Sequence, residues 1–277
     1  YLYLALIPDM AMARDHTDGW RYKLYRTLAL GWRGTEAEWH KLHRALSIFS
    51  VAIIPIFLSV HSIVAWDFAV TIQPRWHSTI FAPYFVAGAI HSGLAMVLTL
   101  MIPMRKILRF EKIVTMQILE AVAKTIIFTG LIVGYAYGVE YFLAWYSNNT
   151  IEQEAFRWRA VGDYSLEFWI MVVCNSLIPL LFFFKKIRTN ITWLFSISIL
   201  VNIGMWYERF VIIIGSVAHD FIPHAWGLYR PSGIEYGIMI GSFSLFFLLF
   251  LLFAKHLPSI SMTEMKETLD HGGSHAG

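Results

Sequence analysis

Six stretches of this chain are long and apolar enough to approach or exceed the thickness of a bilayer, and that feature decides the fold class. A helix needs about 20 apolar residues to cross about 30 Å of hydrocarbon. Runs at 46–66, 81–103, 113–146, 166–184, 191–218 and 234–253 answer to this length. The run 166–184 is on the short side, and 113–146 is long enough to tilt or to project beyond the bilayer. Each run is continuously apolar rather than alternating, so helices and not barrel strands are predicted. The expected fold is therefore an all-α, polytopic transmembrane helix bundle. Composition agrees, with 57% hydrophobic residues and only 15% charged ones, against about 25% charged in soluble domains. The opening stretch Tyr1–Pro8 is apolar but too short to span. It has no charged leader region or cleavage site, so it is not a signal peptide. It reads as the end of a helix that begins upstream.

Lysine and arginine placement gives an orientation. Arg14, Arg21, Lys23, Arg26, Arg33, Lys41 and Arg44 fall in 9–45. Arg105, Lys106, Arg109 and Lys112 fall in 104–112, and Lys185, Lys186 and Arg188 in 185–190. Lys255 and Lys266 lie in the tail. The alternate connections 67–80, 147–163 and 219–233 hold only Arg75, Arg157, Arg159 and Arg230. Basic residues stay in the cytoplasm, so segment 9–45 and the C-terminus are expected inside and the three sparse connections outside. The formal net charge of +3 includes no basic tract suited to nucleic acid, and none is expected as a partner. Lipids are.

One cysteine, Cys174, is present. It cannot supply an internal disulfide, a CxxCH haem attachment or an iron–sulfur ligand set. Any cluster must belong to a partner. The tail from Asp270 to Gly277 reads as unstructured, and its two histidines form no expected metal site. Gly130, Gly134 and Gly138, at four-residue spacing, form a small-residue face for close helix packing.

Ionisable groups inside a bilayer are costly, about 2.5–3.5 kcal/mol at its centre on insertion scales, so each calls for a partner or a role. His61 lies about one and a half turns below the outer end of its span, and Asp67 lies at that end. An imidazole can accept a proton from a quinol hydroxyl near neutral pH, and a carboxylate can orient it or pass the proton outward. Six residues on an ideal helix subtend about 120°. The two converge only if the helix end unwinds or if a ligand lies across both. The plainer reading makes His61 a packing residue and Asp67 a helix-end residue at the headgroups. Glu120 and Lys124, at i and i+4, can pair or open a proton path from the cytoplasm. Tyr135, Tyr137 and Glu140 lie further along the same helix. Glu208 and Arg209 lie inside 191–218. As sequence neighbours they point about 100° apart, so each is expected to pair with another helix. Asn202 and Arg209 share a face. His91 is mid-span. A haem between His61 and His91 is disfavoured by a depth offset of about 7 Å. His91, Glu120, Lys124, Tyr135, Tyr137, Glu140, Glu208 and Arg209 are the candidates for a proton path.

The stretches Ile7–Asp15, Leu30-Gly-Trp-Arg-Gly34, Ser59–Ala69, Trp76–Gly88, Gly130–Gly138 and Asn202–Val211 resemble the polysulfide-reductase-type (NrfD-like) membrane subunits, most closely the quinol-oxidising subunits of bacterial alternative complex III. The resemblance covers the chain to about residue 255. It implies two four-helix bundles with peripheral helices. Residues 1–80 would be the end of a first, quinol-binding bundle, 81–233 a second bundle, and 234–277 a peripheral span with its tail. It implies menaquinol near the periplasmic side of the bacterial inner membrane, with His61 and Asp67 at matching positions. It also implies a periplasmic iron–sulfur subunit to take the electrons, a homologous membrane subunit and a c-type cytochrome. The second bundle, with Glu120, Lys124, Glu140, Glu208 and Arg209, is then the candidate for proton conduction. Three rival readings stand: a quinone-reducing anchor of a polysulfide or molybdenum reductase, a proton channel with no redox role, and a purely structural anchor, which the number of intramembrane ionisable residues disfavours.

Overall fold

A computed structural model describes residues 1–73, 76, 80–218, 224 and 226–258. Arg75, Lys266 and the tail from Asp270 lie outside the described residues, and so does what was expected of them. The described chain is all-helical, and six of its helices are long and apolar enough to cross a membrane. The helices are α1 (Leu2–Asp15), α2 (Gly19–Leu28), α3 (Glu36–Ala69), α4 (Phe81–Ile107), α5 (Met116–Tyr146), α6 (Thr150–Val161), α7 (Ser165–Val172), α8 (Lys185–Arg188), α9 (Ile191–Val217) and α10 (Gly233–His256). The sixth span, Ser165–Phe183, is α7 continued by a π-turn, Val173–Leu177, and a 3-10 segment, Ile178–Phe183.

The chain divides into two compact units. The first comprises 1–57 and 230–277. In it α1 and α2 pack through Met10, Ala11, Tyr25 and Ala29. The Tyr25 hydroxyl donates to the backbone oxygen of His256, 2.7 Å away. Helix α1 continues through Pro8 to Asp15, further than the apolar stretch that heralded it. The turn into α3 places Leu30, Gly31 and Gly34 at positive φ, a conformation that glycine adopts without steric cost. Thr35 and Glu38 then close a reciprocal cap: the Glu38 N–H donates to Thr35 Oγ1 at 3.3 Å, and the Thr35 N–H donates to Glu38 Oε2 at 3.0 Å. This cap explains why α3 starts ten residues before the apolar run.

The second unit, 58–229, is a four-helix bundle of α4, α5, the α7 span and α9. At least a third of each apolar stretch in these helices is buried, against little of α3 and none of α10. Two apolar clusters fill the bundle. One, with Phe81, Tyr84, Val133, Phe168, Met171 and Val211, lies towards the Phe81 end of α4. The other, with Leu98, Leu119, Phe182, Leu194 and Val201, lies towards the Ile107 end. Chain order on every helix places polar residues between them: His91 on α4, Thr129 on α5, Asn175 on the π-turn and Glu208 on α9. All four are buried. The last turns of α3 join this unit through Phe68, which meets Trp76 edge-on at 5.0 Å and stacks on Phe85 at 5.9 Å. The Trp76 indole N–H donates to the Ile212 carbonyl at 2.9 Å, tying that corner to α9.

Candidate functional site

The polar layer has Glu208 at its centre. This side chain is fully buried, and in lipid or protein such a carboxylate is tolerable only with donors around it. Tyr137 of α5 donates its hydroxyl to Glu208 Oε2 at 2.6 Å. The Asn175 amide donates to the Tyr137 hydroxyl at 3.0 Å and to Glu208 Oε2 at 3.4 Å. Because the amide donates to the hydroxyl oxygen, the Tyr137 proton is left to point at the carboxylate. The Tyr84 ring stands edge-on to Tyr137 at 5.7 Å. Its hydroxyl is buried beside Glu208 without closing a hydrogen bond of good geometry.

Arg209 completes the centre and corrects one expectation. Glu208 and Arg209 do meet: Arg209 Nη2 stands 3.5 Å from Glu208 Oε1. Their Cα–Cβ bonds diverge on the helix, but the long arginine stem folds back across the divergence. The guanidinium also lies over the Phe85 ring, 4.1 Å from its centroid, a cation–π contact. Gly88 leaves room for this. A Cβ there would come within 3.3 Å of Glu208 Oε1 and 3.5 Å of Arg209 Nη2.

Asn175 owes its position to the π-turn. Such a turn inserts an extra residue into a helix and re-aims the side chain there. Gly130 and Gly134 admit this segment: a Cβ on Gly130 would stand 3.1 Å from the Asn175 carbonyl and 3.2 Å from His91 Cε1, and one on Gly134 would stand 3.0 Å from Ser176 Oγ. Gly138 has no such neighbour, so two of the three spaced glycines serve close packing.

On the Ile107 side of Glu208, His91 Nδ1 shares a 2.8 Å hydrogen bond with Thr129 Oγ1. Its Nε2, Asn175 Oδ1 and Ser176 Oγ are buried without a protein partner, the pattern that internal water satisfies. Nearer that end, Asn202 Nδ2 donates to Thr99 Oγ1 at 2.9 Å, and Thr99 to Ser198 Oγ at 3.0 Å. On the Phe81 side, Glu140 and Arg159 are both buried and stand 3.3 Å apart. Arg159 sits on α6 and packs over Phe156 and Phe168. Counted in the sequence as a loop cation, Arg159 is an interior one. Polar side chains thus recur along the bundle from Ser198 to Arg159.

The remaining sequence candidates fall elsewhere. Glu120 pairs with Lys124 at 3.2 Å and also accepts from Arg188 Nε at 2.8 Å, near the Ile107 end. Tyr135 turns outward and is exposed, so it does not join Tyr137. His61 is half-buried and Asp67 exposed. The helix is unbroken through Ala69, which removes unwinding as a way to bring them together. His61 shares a face with buried Ala65 and with Phe68. Asp67 shares one with the exposed Val60, Ile63 and Val64. A ligand touching both must lie across the edge between these faces. Sequence reasoning missed Asn175, Tyr84 and Arg159. An amide inside an apolar run was a usable signal for the first.

Among the described residues no group of three or more histidine, cysteine or acidic side chains is arranged for a metal. A family model described as polysulphide reductase, NrfD, matches residues 1–219. No curated protein matches the chain.

Proposed function

Because the chain belongs to the polysulphide reductase NrfD family, we propose that it is the quinol-binding membrane subunit of a respiratory electron-transfer complex. Subunits of this family lie in the membrane, interact with quinones and partner iron–sulfur or molybdenum subunits of oxidoreductase complexes. In this reading the quinol is menaquinol, the membrane is the bacterial inner membrane, and the Phe81 end of the bundle faces outward. The complex is of the alternative complex III type, with an outer iron–sulfur subunit, a homologous membrane subunit and a c-type cytochrome.

The observation that carries this reading is the outer end of α3. It presents a titratable imidazole and a carboxylate on adjoining faces, beside the exposed apolar side chains Val60, Ile63 and Val64. That combination fits a quinol, whose hydroxyls need proton acceptors and whose tail needs an apolar wall. When bound, the quinol supplies two electrons and two protons. His61 accepts the two protons in turn at an imidazole nitrogen, and Asp67 takes each of them towards the outer surface. The electrons leave to the partner's cluster.

The second bundle conducts protons, with Glu208 and Tyr137 at its centre and Glu140 at its outer end. Asp67→Asn keeps the shape and removes the base. Quinol turnover by the assembled complex is expected to fall about 100-fold or more, with all subunits still present. Unaltered turnover rejects the assignment. The buried Glu208–Tyr137–Asn175 network also favours a second reading, a proton channel with no redox role. A purified complex that binds no naphthoquinone would favour that one.

A further inference from the structure

The outer end of α3 and the Glu208 centre meet through a short run of side chains. Phe68, next to Asp67, stacks on Phe85 with centroids 5.9 Å apart and planes 28° apart. Arg209 lies over Phe85 at 4.1 Å and reaches Glu208 at 3.5 Å. One guanidinium therefore touches the aromatic pair packed at the end of α3 and the acid at the heart of the bundle.

Arg209 is held loosely for an arginine in this setting. Its approach to Glu208 is longer than the 2.7–2.9 Å of a tight charge-assisted bond. Its Nη1 is buried without a hydrogen-bond partner. About a third of the side chain is exposed, while Glu208 is fully enclosed. An ion pair at this separation, with no hydrogen bond between the two groups to fix it, is sensitive to a nearby change of charge or dipole. The pull on Glu208 varies with the inverse of the separation and is little screened away from water.

We propose that Arg209 is a coupling residue, its guanidinium shared between the Phe85 wall of the quinol site and Glu208, so that a ligand beside α3 alters the electrostatics of the proton relay. This rests on the quinol reading above and adds to it the route by which the two sites communicate. Arg209 acts on the relay through Glu208 and is a positioning residue. Phe68 and Phe85 carry no charge and act by placement.

The experiment is infrared difference spectroscopy of the purified complex on adding a short-tailed naphthoquinone, with the Glu208 carboxyl band identified by its loss in Glu208→Gln. In the parent, binding is expected to perturb that band. In Arg209→Gln the perturbation vanishes. Arg209→Lys, which keeps the charge and loses the planar fork, restores part of it. Phe85→Leu, which keeps the arginine and removes its aromatic seat, weakens the perturbation and decides the matter if Arg209→Gln does not assemble. An undiminished perturbation in Arg209→Gln or Phe85→Leu overturns the coupling role. So does a parent that binds the quinone with no change at Glu208, and that result leaves the quinol reading standing. A parent that binds no naphthoquinone fails earlier and takes both down.

Discussion

Gly204 has no room for a side chain. A Cβ there would run into the Asn175 amide and stand 2.6 Å from the Cβ of Cys174. The bare backbone of α9 at this point lets the π-turn press inward and deliver Asn175 to Tyr137 and Glu208. Gly204→Ala is therefore expected to destabilise the protein by about 1–3 kcal/mol, the usual range for overpacking. A lowered thermal midpoint of the detergent-solubilised complex checks it. Tyr137→Phe removes the shortest donor to Glu208 without changing shape. A buried acceptor that loses its donor costs about 1–3 kcal/mol. In the proposed path this hydroxyl carries the proton, so proton movement through reconstituted complex should slow in the same variant. At this scale Glu140, Glu208 and Arg209 were legible, because an ion in an apolar run needs a reason, while Arg159, in a polar stretch between runs, was not. Among the neutral members Tyr137 and His91 were legible, and Tyr84 and Asn175 were not. A tyrosine in such a run looks like packing, and the helical wheel that would have placed Asn175 is broken by the π-turn.

Among the elements, helical reading of long runs passed over the short α2, α6 and α8, and α6 is the one of these that enters the site. It is short and amphipathic and is capped by Asn149, whose side chain accepts from the N–H groups of Ile151 and Glu152. Those signals are present in the sequence, but the segment is too short and too polar to stand out beside the long apolar runs. Its Arg159 enters the bundle and meets Glu140. Arg159→Met removes the guanidinium from beside that buried carboxylate, at a cost of about 3–5 kcal/mol. Adding Glu140→Gln should recover much of the loss, which a double-mutant cycle of unfolding free energies measures. At the other end Arg188 ties the short α8 back to α5. Its guanidinium donates to Glu120 at 2.8 Å and to the Phe183 carbonyl at 3.0 Å. That cluster is partly exposed and belongs to the rim. The six spans themselves were readable because length and apolarity are summed over twenty residues. The start of α3 was not, because the cap at Thr35 and Glu38 extends it through polar sequence.

For the whole molecule the uneven spread of basic residues argues for an orientation, and the proposed chemistry depends on it. Cys174 is buried, which makes the parent a quiet background for labelling introduced thiols. A thiol at Glu154→Cys should react with an impermeant maleimide added outside intact cells. One at Glu111→Cys should react only after the membrane is opened. The reverse pattern would place His61 and Asp67 on the wrong side for releasing protons outward. The side-chain order along the bundle, from Ser198 through Glu208 to Glu140, is fixed by the fold whichever way it faces. Its use as a route from the cytoplasm follows from the orientation.

The most direct measurement is a density map of the assembled complex with a naphthoquinone bound. The account predicts a quinone ring at the edge of α3 between His61 and Asp67, with an iron–sulfur cluster of a partner subunit within electron-tunnelling reach beyond the outer end of that helix. A quinone seated elsewhere in the complex, or no redox centre near that end of α3, would contradict it.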